Sequence, residues 1–174
     1  VAGDDQRHGV GGFGAANGKA RVDCCDLGVP DHVPNHECAL STPELARRYP
    51  LAMISPPARH FLNSSFVNVR SLRAIEGEPI VEIHADDAVP RGIRHGAMVR
   101  IFNDRGEYRC KAEVSSRARP GVVNGLGVWW RKYGVDGTNV NELTHQLTDI
   151  GRAPTFYDCL VQVEALDAHR ASAA

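Results

Sequence analysis

Two polar stretches hold most of the side chains that could recognise a ligand. The first, residues 55–68, reads SPPARHFLNSSFVN. Pro56 and Pro57 exclude both helix and central strand there, and Arg59, His60, Asn63 and Ser64, with Ser55 at the start, bring donors and acceptors of several kinds to one place. The second, residues 139–149, reads NVNELTHQLTD. In it Asn139, Asn141, Thr144, His145 and Asp149 alternate with Val140, Leu143 and Leu147, so the apolar members can anchor a loop while the amides and the carboxylate face outward. Amide and carboxylate edges pair with the ring N–H and carbonyl groups of a flat heterocycle, and arginine or backbone amides meet phosphate. The same residue types also satisfy the backbone of ordinary turns, and on composition alone turn chemistry is the simpler account.

Other chemistry finds less support. His32, His36 and Cys38, with Cys24 and Cys25 nearby, are suitable metal ligands by type. The H-x3-H spacing, however, falls in a proline-broken loop and no C-x-x-C occurs, so surface histidines and unpaired thiols are expected rather than a metal site. No G-x-S-x-G, phosphate-loop or dinucleotide glycine pattern is present. Asp86 is expected to cap a short helical stretch over Asp87–Gly92. Five cysteines, an odd number with two adjacent, point to a reduced, cytoplasmic setting.

The elements that must position the two stretches follow from patterning. The chain has 174 residues, 20 basic and 21 acidic, and a formal charge of −1. Such a balance excludes nucleic-acid binding by bulk phosphate neutralisation and gives no drive toward an anionic membrane. No apolar run approaches the ~20 residues of a membrane helix. Val1 opens the chain without a basic or apolar leader, as expected of a piece of a longer polypeptide. Residues 1–48 read as an irregular approach segment, with glycine-rich Val10–Gly14 and proline-broken Asp26–Pro34. Ser41-Thr42-Pro43-Glu44 then starts a short helix, through a hydroxyl cap, that must stop before Pro50.

Residues 49–165 read as a β domain. Strands are expected at Leu51–Ser55, Ile80–His84, Met98–Asn103, Glu107–Val114 and Leu160–Glu164. The clearest is Glu107–Val114, where Tyr108, Cys110, Ala112 and Val114 share one face; Cys110 is thereby a small hydrophobe. Asp104-Arg105-Gly106 folds it back on Ile101 as a hairpin. Several short strands with glycine and proline turns and few helices predict a barrel or sandwich, and residues 166–174 should fray.

The run from Tyr49 to Glu164 resembles the C-terminal dinucleotide-binding domain of the molybdopterin oxidoreductases, the group of dimethyl sulfoxide reductase and formate dehydrogenase. The likeness lies in ordered pieces: Tyr49-Pro50-Leu51, Arg59–Ser65 (RHFLNSS), Glu82–Ala88 (EIHADDA), Gly92-Ile93, Gly96, Val99-Arg100-Ile101 and Asn103–Gly106 (NDRG). Pro120–Val123 (PGVV), Trp129-Trp130, Asn139–Thr144 (NVNELT) and Thr148-Asp149 follow, and Gly12-Phe13 with Asn17-Gly18-Lys19 resemble the approach to this domain.

The resemblance implies a mainly β, double-psi barrel of the aspartate decarboxylase-like class, with short helices. It implies that the two polar loops hold molybdopterin guanine dinucleotide carrying molybdenum or tungsten. Ser55, Arg59, His60, Asn63 and Ser64 would lie near the pterin, and Asn139, Asn141, Thr144 and Asp149 at the pterin and nucleotide edges. Catalytic residues, the metal ligand and any iron–sulfur cysteines would sit in the remaining domains of the parent enzyme, the expected partner, so the chain alone is expected to be inactive. Ala97 stands where many relatives carry aspartate, and nothing is predicted from it. A free-standing barrel acting as a binding module is the alternative, whereas an independent decarboxylase-like enzyme would need a Gly-Ser processing site that the sequence lacks.

Overall fold

The computed structural model describes residues 31–149 and 152–166. Six strands close into a barrel: β1 (Leu51–Ile54), β2 (Ile80–Ile83), β3 (Met98–Phe102), β4 (Glu107–Val114), β5 (Val122–Gly125) and β6 (Leu160–Ala165). Their order around the barrel is β1-β5-β2-β4-β3-β6. Two pairs are parallel, β1 with β5 (Met53 opposite Val123) and β2 with β4 (Val81 opposite Ala112); the remaining four are antiparallel. The mainly β barrel with few, short helices is the class the sequence led us to expect.

Alternation builds the core. Leu51 and Met53, Val81 and Ile83, Val99 and Ile101, Tyr108, Cys110 and Ala112, Val123, and Val161 and Val163 are all buried, two or three per strand at every second position except on β5. Burying each such large side chain contributes about 1.5–3 kcal/mol against the entropy of ordering the chain. On β3 and β4 the outward faces carry Arg100, Glu107 and Arg109 in a ladder of ion pairs. The expected β3–β4 hairpin is present, with Ile101 opposite Tyr108.

Three local readings are corrected. α1 (Pro43–Arg48) begins where Ser41-Thr42-Pro43-Glu44 predicts, but Thr42 makes no side-chain cap. Its hydroxyl turns back to Cys38, accepting the Cys38 N–H at 3.2 Å and donating to the Cys38 carbonyl. Asp86 is not a cap either: α3 (Ala85–Ala88) is capped by His84, whose Nδ1 accepts the Asp86 N–H at 3.2 Å. Asp87 instead accepts the Gly121 N–H at 2.7 Å, tying α3 to the turn before β5. A 3-10 turn, Val89–Arg91, follows and ends at Gly92, whose φ of 64° suits a residue without Cβ. Lastly, α2 (Arg70–Glu76) occupies a stretch with no helical pattern in the sequence.

The described residues from Pro34 onward belong to one compact unit. The last part of the approach segment is therefore docked on the barrel. Glu37 pairs with Arg105 and accepts the Leu160 N–H at 2.9 Å, and the His36 N–H meets Asp158 at 2.9 Å. Cys24, Cys25 and the glycine-rich stretch lie outside the described residues.

Candidate functional site

The parallel pairing of β1 with β5 brings the two polar loops together. Parallel strands end on the same side, so the chain leaving Ile54 and the chain leaving Gly125 emerge side by side. The ladder continues past the strands: the Gly127 N–H meets the Pro56 carbonyl at 3.0 Å and the Ala58 N–H meets the Gly127 carbonyl at 2.5 Å. Val140 then plugs the barrel mouth. A Cβ at Gly125 or Gly127 would stand 3.2 or 3.1 Å from its methyl groups, so glycine at both positions lets Val140 seat fully buried. Below it the Leu143 carbonyl accepts from Asn103 Nδ2 at 2.9 Å, Arg105 Nε at 2.6 Å and Cys159 Sγ at 3.2 Å.

Between the loops lies a cavity of about 580 Å³, within the usual size of small-molecule sites. Of the residues predicted from sequence, Ser55, Asn63, Asn141 and Thr144 line it. Asn63 sits at the tip of a tight turn closed by Leu62 and Ser65, with a φ of 51° that asparagine tolerates well. Among the described residues the side-chain amides of Asn63 and Asn141 make no hydrogen bond, leaving two donors and an acceptor on each for a ligand.

The other five lie beside the cavity rather than on its wall. The Arg59 and His60 N–H groups both donate to Glu76 of α2, at 2.8 and 3.2 Å, and His60 Nδ1 reaches the same carboxylate at 2.5 Å. The Ser64 carbonyl accepts from Trp130 Nε1 at 2.7 Å. Asn139 caps the turn Val140–Glu142: its Oδ1 accepts the Asn141 N–H at 2.9 Å and Glu142 accepts its own N–H at 2.9 Å. Asp149 closes a turn by accepting the Ala153 N–H at 2.8 Å. Arg59 is exposed, and its guanidinium is unpaired among the described residues.

The structure adds residues that the sequence did not single out. Gln146, Phe156 and Tyr157 join the wall, the two aromatic rings packed edge to face at 4.5 Å. His145, in sequence only one member of a polar run, lines it too. Its Nδ1 accepts the Leu147 N–H at 3.2 Å, and its Nε2 is buried with no partner among the described residues. Around the site burial pushes the Cys159 thiol up to about 11. Burial also opposes ionisation of Glu37, but the Arg105 guanidinium and the Leu160 N–H outweigh it and hold the carboxyl below its ordinary range. No cluster of three or more His, Cys, Asp or Glu among the described residues could hold a metal.

Free amides around a cavity of this size suit a planar, hydrogen-bonding ligand. Residues 51–160 match the family described as "Molydopterin dinucleotide binding domain". The chain belongs to that family. It is 35% identical over 150 residues to a putative dimethyl sulfoxide reductase catalytic chain of Halobacterium salinarum, covering 84% of this chain and 18% of that protein. It is 37% identical over 125 residues to the dimethyl sulfoxide reductase DmsA of Escherichia coli, covering 69% of this chain and 15% of that one. Acetylene hydratase from Pelobacter acetylenicus shares the fold at a TM-score of 0.73 and 18% identity, over 89% of this chain and 24% of that one. The molybdopterin dinucleotide-binding chain thus spans less than a fifth of the length of these curated relatives. The donor set fits a pterin or nucleotide base: amide edges for ring acceptors, aromatic rings for a ring face.

Proposed function

We propose that this domain clamps the organic part of molybdopterin guanine dinucleotide for a molybdenum or tungsten oxidoreductase, as one domain of a larger catalytic subunit. The observation that carries this reading is the meeting of Asn63 and Asn141, free amides from two loops far apart in sequence, on one cavity. Ser55 and Thr144 extend the polar wall. The exposed Arg59 guanidinium beside it would meet a phosphate of the dinucleotide. His60, Ser64, Asn139 and Asp149 would act on the same ligand from the loop frame they hold. When bound, the cofactor supplies the redox chemistry at its metal, and this chain supplies orientation and electrostatics. Its own side chains fix the ring edges, present donors to them and cover one face against water. Reduction of a small oxidised substrate such as a sulfoxide is the activity we propose for the parent enzyme, by likeness to its relatives.

The test is a titration of the 174-residue chain with molybdopterin guanine dinucleotide released from a molybdenum enzyme, followed by pterin fluorescence. The wild-type chain should bind saturably. Asn63→Ala and Asn141→Ala should each weaken binding by about 5- to 150-fold, the equivalent of ~1–3 kcal/mol for a lost buried partner. Identical curves for wild type and both variants would refute the site.

A further inference from the structure

A second opening, of about 350 Å³, lies between α2 and the 3-10 turn Arg131–Tyr133. Arg70, Arg73 and Ala74, spaced i, i+3 and i+4, give it one face of α2, and Tyr133 and the buried Trp129 complete it. Trp129 packs edge to face on Phe61 at 5.0 Å, which fixes the floor. The cations here are held by ring faces and not by carboxylates. The Arg73 guanidinium lies over the Tyr133 ring at 4.0 Å, and the Lys132 ammonium lies 4.8 and 4.9 Å from the ring centres of Trp130 and Tyr133. Elsewhere on the domain Arg91, Arg100, Arg105, Arg109 and Arg117 each pair with a carboxylate. Arg70, Arg73 and Lys132 have no such partner among the described residues, and Arg70 and Lys132 are exposed. The nearby carboxylates are committed: Glu76 takes the Arg59 and His60 N–H groups, and Glu78 pairs with Lys111.

We infer that this groove binds an acidic peptide segment, one in which carboxylates flank an apolar side chain. Arg73 spends only Nη1, which donates to the Val67 carbonyl at 2.8 Å; its Nε and Nη2 are unpaired and open to solvent, and together they present the edge that grips a carboxylate side-on. Arg70 and Lys132 supply further donors on either side of the aromatic pair. Cation–π contact holds Arg73 and Lys132 in position before a ligand arrives, so less rotamer freedom is lost on binding. A lone phosphate would answer the charges but leave Ala74 and Trp129 uncovered, whereas a peptide with an apolar residue between its acids covers the floor as well. The inference is independent of the cofactor reading, since the groove shares no lining residue with the cavity between the loops.

The chain has two tryptophans, Trp129 and Trp130, so their indole N–H resonances report on the groove directly. The experiment titrates the 174-residue chain, labelled with nitrogen-15, with an end-blocked synthetic hexapeptide of four glutamates around two leucines. The indole signals should shift saturably at low salt, and the affinity should fall as salt is raised to about 0.5 M. Arg70→Ala and Lys132→Ala should each weaken binding about threefold to fivefold, and the double variant about tenfold. Arg119→Ala removes an exposed arginine at the other end of β5 and should bind like wild type. Equal binding by wild type and the double variant, equal binding of the glutamine counterpart of the peptide, or the absence of a saturable shift overturns the inference. Displacement of the peptide by inorganic phosphate at equal concentration overturns it too, because the groove would then be a small-anion site.

Discussion

Glu37 and Arg105 form a two-pronged ion pair, with Arg105 Nη2 3.1 Å from Glu37 Oε2, and each partner reaches a further backbone group. The carboxylate accepts the Leu160 N–H at the start of β6, and the guanidinium donates through Nε to the Leu143 carbonyl. One pair thus ties the approach segment, the last strand and the loop bearing Asn141 and Thr144 into one frame.

Breaking that pair should cost stability in a pH-dependent way. The Glu37 carboxyl is held below its ordinary value in the folded chain. Its contribution is therefore complete above the unfolded-state value of about 4.3 and is lost as pH falls through the lower folded-state value. Glu37→Gln should lose about 1–3 kcal/mol at pH 7. Urea unfolding at pH 7, 5 and 3 should show the gap to wild type wide at the first two and narrowed at the third. A constant gap across that range would mean that the charge is not what matters.

Tyr108 presents the opposite case. Its hydroxyl is buried in the barrel without a partner among the described residues, and burial raises its pKa well above that of free tyrosine. Tyr108→Phe removes an unpaired polar atom and keeps the ring. The melting temperature should stay level or rise, by up to about 1 kcal/mol of stability. A loss larger than that would reveal a partner for the hydroxyl.

Glu76 gathers three N–H groups of the first loop on one carboxylate. Glu76→Ala should free that loop without opening the barrel. Amide hydrogen exchange at Arg59 and His60 should quicken at least tenfold, as expected for local rather than global opening, while exchange at Val99 and Val163 stays unchanged. Uniform acceleration through the barrel strands would count against a purely local tether.

The thiols should react in a fixed order. Ser41 hydrogen bonds lower the pKa of Cys38, whereas burial raises those of Cys110 and Cys159. With Cys24 and Cys25 replaced by serine, the native chain should show one rapidly titrating thiol toward an aromatic disulfide reagent at pH 7.5, with the other two released only by denaturant. Three fast thiols in the folded chain would contradict the burial of β4 and the start of β6.

What could be read from the sequence depended on range. β4 and its hairpin were legible because eight residues of strict alternation leave one solution, and the two polar loops stood out by composition. Their meeting was not legible, because it depends on β1 and β5 lying side by side across the intervening chain. α2 escaped notice because none of its residues is buried, so no apolar period marks it. The caps near Thr42 and His84 turned on which of several nearby polar groups wins a short contest, and the side-chain pattern alone does not decide that. The aromatic wall at Phe156 and Tyr157 is delivered to the cavity by the return of the chain into β6. Its nearest signal was an aromatic doublet in an otherwise polar stretch.

The strand order also sets the sequence of events during synthesis. β1 is the first strand to be made, yet its two neighbours, β5 and β6, are the last. In a growing chain β1 therefore finds its first neighbour only when Val122–Gly125 has been made and its second only after Leu160, and closing such long loops is slow. The mouth between the loops is thus completed only once β6 has been made and paired with β1.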